Sequence, residues 1–139
     1  GNRVQVGGNT VYVNAKPVVT PAAAGTYSSR RRAFLVAGNL VRVTHDVYGE
    51  ATKDDKVVTE AMNKKQLSWN VASRGNDVYV NDLRIMTCAD GDDQPAIVKN
   101  IQSALKAKPA MLSKKEIQKQ NKAWTQKYGY KKDKKEKNA

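Results

Sequence analysis

Residues 66–86 read QLSWNVASRGNDVYVNDLRIM, a stretch in which apolar and polar residues alternate as they do in β-strands. Gly75-Asn76 divides the stretch with the sequence of a tight hairpin turn. The alternation breaks at Asn81-Asp82, where the pattern suggests a bulge, and it resumes at Leu83. The stretch therefore predicts antiparallel strands, each with one face toward a core.

Two further β regions are predicted upstream. Residues 4–13 alternate around Gly7-Gly8-Asn9, which is a strong hairpin signal. Residues 33–36 and 40–43 form the second region, on either side of another Gly-Asn pair. Gly-Asn precedes a predicted strand three times, at 8–9, 38–39 and 75–76. Either these pairs mark a weak internal repeat, or they are simply the dipeptide that tight hairpins prefer.

The hydrophobic period changes to that of helices after residue 91. Asp92 or Asp93 can cap a first helix over about 93–106, which Pro109 ends. The apolar residues of this helix fall on one face: Ile97, Ile101, Ala104 and Leu105. The spacing therefore predicts an amphipathic helix that packs on the sheet.

A second helix is predicted over about 113–127, where Ser113 and Glu116 form a capping box. Its apolar side is thin and consists of Ile117, Trp124 and Tyr128. Such a helix is expected to pack on a partner subunit or along an anionic surface. Residues 128–139 are a Lys-rich tail that is expected to be flexible when free.

These elements predict one α+β domain over residues 1–127. An N-terminal hairpin and an antiparallel β-sheet occupy about 3–88, and two C-terminal α-helices follow that pack across a partner subunit. A chain of 139 residues is long enough to bury a core without disulfides or metals.

The charge of the chain is strongly basic. It has 25 Lys and Arg against 13 Asp and Glu, a net charge of +12. More than half of the excess lies in 114–138, where ten Lys face three acidic residues. Such an excess predicts a polyanionic partner. Nucleic acid is the first candidate, followed by anionic membranes and acidic proteins.

The chain shows neither a secretory signal nor a membrane span, and its lone Cys88 forms no internal disulfide, so we expect a cytosolic site of assembly.

The sequence contains few residues that could form a catalytic or metal site. His45-Asp46 is too small a set for a metal site, and His45 is expected at a strand or loop edge. Cys88 is expected to pack as a small hydrophobe. The acidic run at 90–93 lacks the terminal Glu of a calcium loop, and helix capping explains it better. The sequence predicts no enzyme, no metal and no cofactor.

Nucleic-acid binding is the remaining chemistry. On the predicted strands, an aromatic ring and small polar groups share one face, which suits unpaired RNA bases. Basic residues at the strand entrances would neutralise phosphates. The predicted RNA-binding residues are Tyr79, Asn81, Ser68, Asn70, Lys64, Lys65, Arg30, Arg31 and Arg32.

Residues 79–81, followed by Leu83 and Ile85, an acidic loop and the helix over 97–106, resemble the last strand and first helix of single-stranded RNA bacteriophage (levivirus) coat proteins. In that family a tyrosine stacks on a base of the genomic hairpin and an asparagine contacts the RNA beside it. The resemblance implies these roles for Tyr79 and Asn81. It also implies a homodimer that self-assembles into an icosahedral shell around RNA, a virion built in the host cytoplasm.

Two alternatives stay open. One is a nucleic-acid-binding accessory protein that forms no shell. The other follows from Gly-Asn-x-Val-Tyr-Val-Asn, present at 8–14 and again at 75–81, which resembles the repeated turn-strand unit of PAAR-type spike-tip proteins of contractile injection machines. That family implies a structural role with a bound metal.

Overall fold

The computed structural model describes residues 1–46 and 68–128. Within them the chain is α+β, as predicted, with two three-stranded antiparallel sheets and three α-helices. The elements in chain order are β1 (Val4–Gly7), β2 (Thr10–Val13), β3 (Lys16–Val19), α1 (Ser29–Val41), β4 (Val71–Arg74), β5 (Asp77–Val80), β6 (Leu83–Thr87), α2 (Gln94–Lys106) and α3 (Lys114–Tyr128). A π-helical turn, Arg42–Asp46, continues α1.

The two sheets repeat one strand pattern. Val4 pairs with Val13 in the first sheet, and Val71 pairs with Val80 in the second. Both middle strands carry a register shift just before their tyrosine, Tyr12 or Tyr79. The Gly-Asn pairs at 8–9 and 75–76 occupy equivalent turns, whereas the pair at 38–39 lies in α1. The chain therefore contains an internal repeat of the three-stranded unit.

Asn81-Asp82 forms the turn between β5 and β6, and the predicted bulge at this place is wrong. Asn81 has φ +53°, a left-handed conformation that asparagine adopts more readily than most residues. Its backbone N–H donates to the Asn70 carbonyl at 2.7 Å, and its Oδ1 accepts from the Asn70 N–H at 2.9 Å. Asn14 makes the same pair of bonds with Arg3 in the first sheet.

The predicted second β region is wrong, because residues 33–41 lie in α1 and 42–46 continue as helix. The Ser28 Oγ caps α1 by accepting from the Arg31 N–H at 3.1 Å. The buried residues follow helical spacing: Ala33, Val36, Ala37 and Leu40. Gly38-Asn39 turns no hairpin, and the Asn39 amide instead donates to the Ile85 carbonyl at 2.9 Å.

Each repeat contributes to one shared core. α1 packs on β1 and β2 of its own half and on β6 of the other, while α2 packs on β4 of its own half and on β2 and β3 of the other. Two equivalent bonds mark this crossing: Asn39 donates to the Ile85 carbonyl of β6, and Asn100 donates to the Val18 carbonyl of β3 at 3.4 Å. The largest fully buried core side chains are Leu40, Ile85, Ile101, Val11, Val13, Val18, Val78 and Val80. The two halves therefore fold as one unit.

The C-terminal helices follow the sequence prediction. Asp93 caps α2 by accepting from the Ala96 N–H at 3.2 Å, and all four predicted apolar residues of this helix are buried. Ser113 caps α3 by accepting from the Glu116 N–H at 3.1 Å. α3 has no buried residue, as its thin apolar side predicted. It lies against β1 of its own chain, and packing across a partner subunit stays a prediction.

Candidate nucleic-acid interface

α3 covers the outer face of the first sheet through polar contacts. The Tyr12 hydroxyl donates to Gln120 Oε1 at 2.7 Å, and the Gly8 N–H donates to Asn121 Oδ1 at 2.8 Å. The Gln5 side chain exchanges two hydrogen bonds with the backbone of Leu112, at 2.9 and 3.0 Å. These contacts fix α3 on the first sheet and determine where its aromatic residues lie.

A glycine is required where α3 approaches the β1–β2 turn. Gly8 has φ +60°, and a Cβ there would lie 3.3 Å from the Gln120 carbonyl oxygen and from Trp124 Cβ. Gly75, the equivalent residue of the second repeat, has the same φ of +60° but no atom within 4 Å of an added Cβ. A substitution at Gly75 therefore measures the cost of the left-handed backbone alone, whereas the same substitution at Gly8 also disturbs the contact with α3.

We expect Gly8→Ala to destabilise the protein more than Gly75→Ala. Both substitutions place alanine in the left-handed region, which costs about 1–2 kcal/mol, and only Gly8→Ala also crowds α3. Urea unfolding of the two variants in a Trp69→Phe background, with Trp124 fluorescence as a probe of α3, measures the difference. Equal losses of stability and an unchanged Trp124 signal would contradict the docking described for α3.

The equivalent outer face of the second sheet is differently built. Tyr79 takes the place of Tyr12, but Arg74 takes the place of Gly7, where a Cβ would lie 2.5 Å from Gln120 Oε1. The Arg74 guanidinium lies 4.4 Å from the centroid of the Tyr79 ring. Arg84, exposed, is paired with Tyr79 across the β5–β6 hairpin. Arginine therefore covers the tyrosine where a helix covers it in the first repeat.

The predicted polar face around Tyr79 is not formed as expected. Ser68 and Asn70 precede β4 instead of lying on it, and Asn81 turns its side chain back to Asn70. The Asn81 side chain accepts from the backbone N–H of Asn70, and Asn81 itself lies in the turn that follows β5. Tyr79 is half-buried under Arg74. Lys64 and Lys65 lie outside the described residues.

Cations and aromatic rings alternate where α1 meets α3. The Arg30 guanidinium lies 5.1 Å from the Phe34 centroid and 5.1 Å from the Trp124 centroid, and it donates to the Gly8 carbonyl at 2.7 Å. Arg31 lies 5.3 Å from the centroid of Tyr27. We call this set the aromatic–cationic surface, and it comprises Tyr27, Arg30, Arg31, Phe34, Trp124, Lys127 and Tyr128.

The rings of this surface are unusually exposed for their size. Phe34 is 52% exposed, Tyr27 46% and Tyr128 57%. A groove of about 550 Å³ runs between α1 and α3, and the six residues that line it include Arg30 and Arg31 but no carboxylate. Exposed aromatic rings therefore lie beside guanidinium groups on this surface, and no carboxylate is among the described residues that line its groove.

The sequence prediction included Arg30 and Arg31 but missed the four rings. Arg30 and Phe34 are four residues apart, as are Trp124 and Tyr128, which is the spacing of neighbours on a helix face. For the first pair that signal was lost when 33–36 was predicted as a strand.

Arg32, also a predicted RNA-binding residue, does not join this surface and is bonded within the fold. Its guanidinium bonds the Thr87 carbonyl at 2.9 Å and Asp92 Oδ2 at 2.9 Å. The two side chains are 11% and 0% exposed. A buried ion pair of this kind ties α1 to the loop before α2.

His45 and Cys88 are the residues that the sequence offered for catalytic chemistry. His45 lies in the helical turn that follows α1, not on a strand. Cys88 is half-buried and packs against the core, as predicted, and burial first, then the charge of Asp92, raises the pKa of its thiol. Within residues 1–46 and 68–128, no three metal-binding side chains come together. None of the helices described above is both long and apolar enough to cross a membrane.

Comparison with protein-family models, with curated proteins and with solved structures finds no match. Rings that stack on bases, beside cations that neutralise phosphates, are the arrangement by which proteins bind single-stranded nucleic acids. The aromatic–cationic surface has both components on two adjacent helices.

Proposed function

We propose that this chain binds single-stranded RNA on the aromatic–cationic surface. The observation that carries the proposal is the position of the Arg30 guanidinium, which lies 5.1 Å from the ring centroid of Phe34 and 5.1 Å from that of Trp124. Bases can stack on the exposed ring faces, and the guanidinium groups can neutralise the adjacent phosphates. The net charge of +12 supports the same partner, because it favours association with any polyanion.

Tyr79 is a second contact in this proposal. The resemblance to coat proteins implies that its ring stacks on a base, and Arg74 and Arg84 supply positive charge beside it. A base that reaches this site would stack on the guanidinium plane of Arg74 or displace it from the ring. Arginine planes are themselves stacking partners of RNA bases.

We expect Phe34→Ala to weaken binding to a short unstructured RNA by about 1–3 kcal/mol, because one stacking ring is lost. Phe34 is half-exposed, so the variant should keep its fold.

Arg31→Gln should lower the slope of log K against log salt by about 0.7, since one phosphate contact is lost. Fluorescence anisotropy at several salt concentrations measures both quantities.

Lys99→Gln is the matched control, because it removes the same charge from an exposed position on α2. Tyr79→Ala tests the second contact in the same titration. If Lys99→Gln changed the slope as much as Arg31→Gln and Phe34→Ala bound normally, attraction by net charge alone would explain the binding. The aromatic–cationic surface would then have no specific role.

Assembly into a shell extends the proposal, and the resemblance to coat proteins supports it. In that form the chain dimerises, and the dimers close around packaged RNA as a virion. Electron microscopy of the purified protein, with absorbance at 260 and 280 nm on the same fraction, is the test. Uniform shells with nuclease-protected RNA would support the coat function. A small species that still binds RNA would instead support the accessory-protein alternative.

The internal repeat favours a second candidate, the PAAR-like spike-tip protein. Its turn-strand unit occurs twice with equivalent pairing and equivalent left-handed Asn14 and Asn81. This candidate predicts a compact structural protein with a bound metal and little affinity for RNA. Elemental analysis of the purified full chain, together with the RNA titration above, separates it from the first.

A further inference from the structure

A second cavity lies on the other side of Trp124, between the end of α3 and the loop that follows β3. Its volume is about 500 Å³, within the range of sites that hold small molecules. Trp124 and Tyr128 form one wall, and their ring centroids are 5.9 Å apart at an angle of 43°. The short apolar run Pro21–Ala23 also lines the cavity; within it Pro21 is fully buried, Ala22 is half-buried and Ala23 is exposed.

The polar groups of this cavity are few and lie at its edge. Asn9 Nδ2 donates to Ser29 Oγ at 2.9 Å, and the Thr20 hydroxyl bonds the Thr10 hydroxyl at 2.7 Å. Among the residues described, no hydrogen bond uses the carbonyl oxygen of the Asn9 side chain. The cavity therefore has flat apolar walls and an amide that can bond a polar ring edge.

The cavity is continuous with the aromatic–cationic surface. Trp124 and Ser28 line both the cavity and the groove that contains Arg30 and Arg31. Lys127 lies at the far side, with its Nζ 5.2 Å from the Tyr128 centroid. Positive charge therefore flanks an apolar slot, with no carboxylate among the residues that line the slot or the groove.

We infer that this cavity receives one unstacked base of the bound RNA. The inference rests on the proposed function and names the position that a single base takes within it. The base enters between Trp124 and the Pro21–Ala23 run, and its sugar-phosphate backbone stays outside near Arg31 and Lys127. A purely apolar ligand would not use the cations beside the cavity, Arg30, Arg31 and Lys127.

The first measurement is the fluorescence of Trp124 in the Trp69→Phe variant, which leaves Trp124 as the only tryptophan. Adenosine monophosphate and a short oligoadenylate RNA are titrated separately, and oligonucleotide affinity is measured independently by anisotropy. We expect both ligands to quench Trp124, because a base stacks on its ring. If Trp69→Phe fails to fold, quenching in the natural sequence that disappears in Trp124→Phe gives the same information.

Ala23→Leu tests the cavity without touching a ring or a cation. Ala23 is exposed at the mouth, so a larger apolar side chain fills the slot and leaves the core intact. We expect the quenching by adenosine monophosphate to disappear and the affinity for the oligonucleotide to fall by about five- to hundredfold, the loss of one stacked base. Ala110→Leu, at an exposed alanine outside the cavity, should change neither quantity.

The outcomes separate the two proposals. Oligonucleotide binding that Ala23→Leu leaves unchanged, with normal quenching of Trp124, would overturn the cavity while RNA binding stands. Absence of oligonucleotide binding in the natural sequence would overturn the proposed function, and the cavity inference with it.

Discussion

Replacing Asp92 by alanine is expected to lower the free energy of unfolding by about 3–5 kcal/mol, because it leaves the Arg32 guanidinium buried without its counter-ion. The side chain of Asp92 is 0% exposed, although the residue as a whole is half-buried, and its carboxylate lies 2.9 Å from Arg32. The carboxylate also accepts the Ala22 and Ala89 N–H groups, each at 2.8 Å. The substitution therefore strands one charge and two backbone donors in the core.

Urea unfolding followed by circular dichroism measures this loss. Asp93→Ala is the matched control, because it removes an adjacent aspartate whose only described role is the helix cap of α2. Asp93→Ala should lower the free energy of unfolding by only about 0.5–2 kcal/mol, the cost of a lost helix cap. The double variant Asp92→Ala, Arg32→Met removes both charges and should recover part of the stability, since no charge is left unpaired. If both single aspartate variants were equally stable, the ion pair would not be buried as described.

The same carboxylate makes stability depend on acid. Burial raises the pKa of Asp92, but the N–H donors of Ala22 and Ala89 and the Arg32 guanidinium outweigh it and hold the pKa below its ordinary value of 3.8. A lowered pKa stabilises the fold above the unfolded-state pKa, and this contribution is lost as the pH falls through the folded-state pKa. The free energy of unfolding of the natural sequence should therefore fall below about pH 4, and Asp92→Asn should remove part of that dependence.

Local sequence patterns predicted the elements whose turns, caps and apolar spacing follow the usual preferences of hairpins and helices. The hairpin at Gly8-Asn9 and the helix α2 follow directly from turn residues, a capping aspartate and apolar spacing. The internal repeat was visible in the sequence as Val-Tyr-Val-Asn after Gly-Asn. It needed the equivalent pairing of Val4–Val13 and Val71–Val80 to distinguish it from ordinary turn preference.

The candidate site was harder to predict because it depends on contacts between distant residues. Arg30 and Trp124 are 94 positions apart, and they meet only because α3 docks beside Gly8. The prediction that Asn81 would continue a strand failed for a different reason. Val78 and Val80 alternate correctly up to that residue, and the break at Asn81-Asp82 is equally compatible with a bulge and with a turn.

Leu40→Ala is expected to lower the free energy of unfolding by about 2–5 kcal/mol, the cost of emptying a buried leucine site. Leu40 is 0% exposed and belongs to the core shared by both repeats. It lies on α1, the element for which the sequence pattern predicted strands, so its effect tests the observed helix directly. Chemical denaturation at neutral pH measures the change.

Leu35→Ala is the matched control, because it makes the same chemical change on the same helix at a side chain that is 52% exposed. Its effect on stability should be within about 0.5 kcal/mol. A strand over 33–36 would place Phe34 and Leu35 on opposite faces, so one of the two would be buried. Large and similar losses for Leu35→Ala and Leu40→Ala would therefore contradict the helix. A large loss at Leu40 alone would support a helix that buries one face and presents Phe34 and Leu35 together at the groove where we propose that RNA binds.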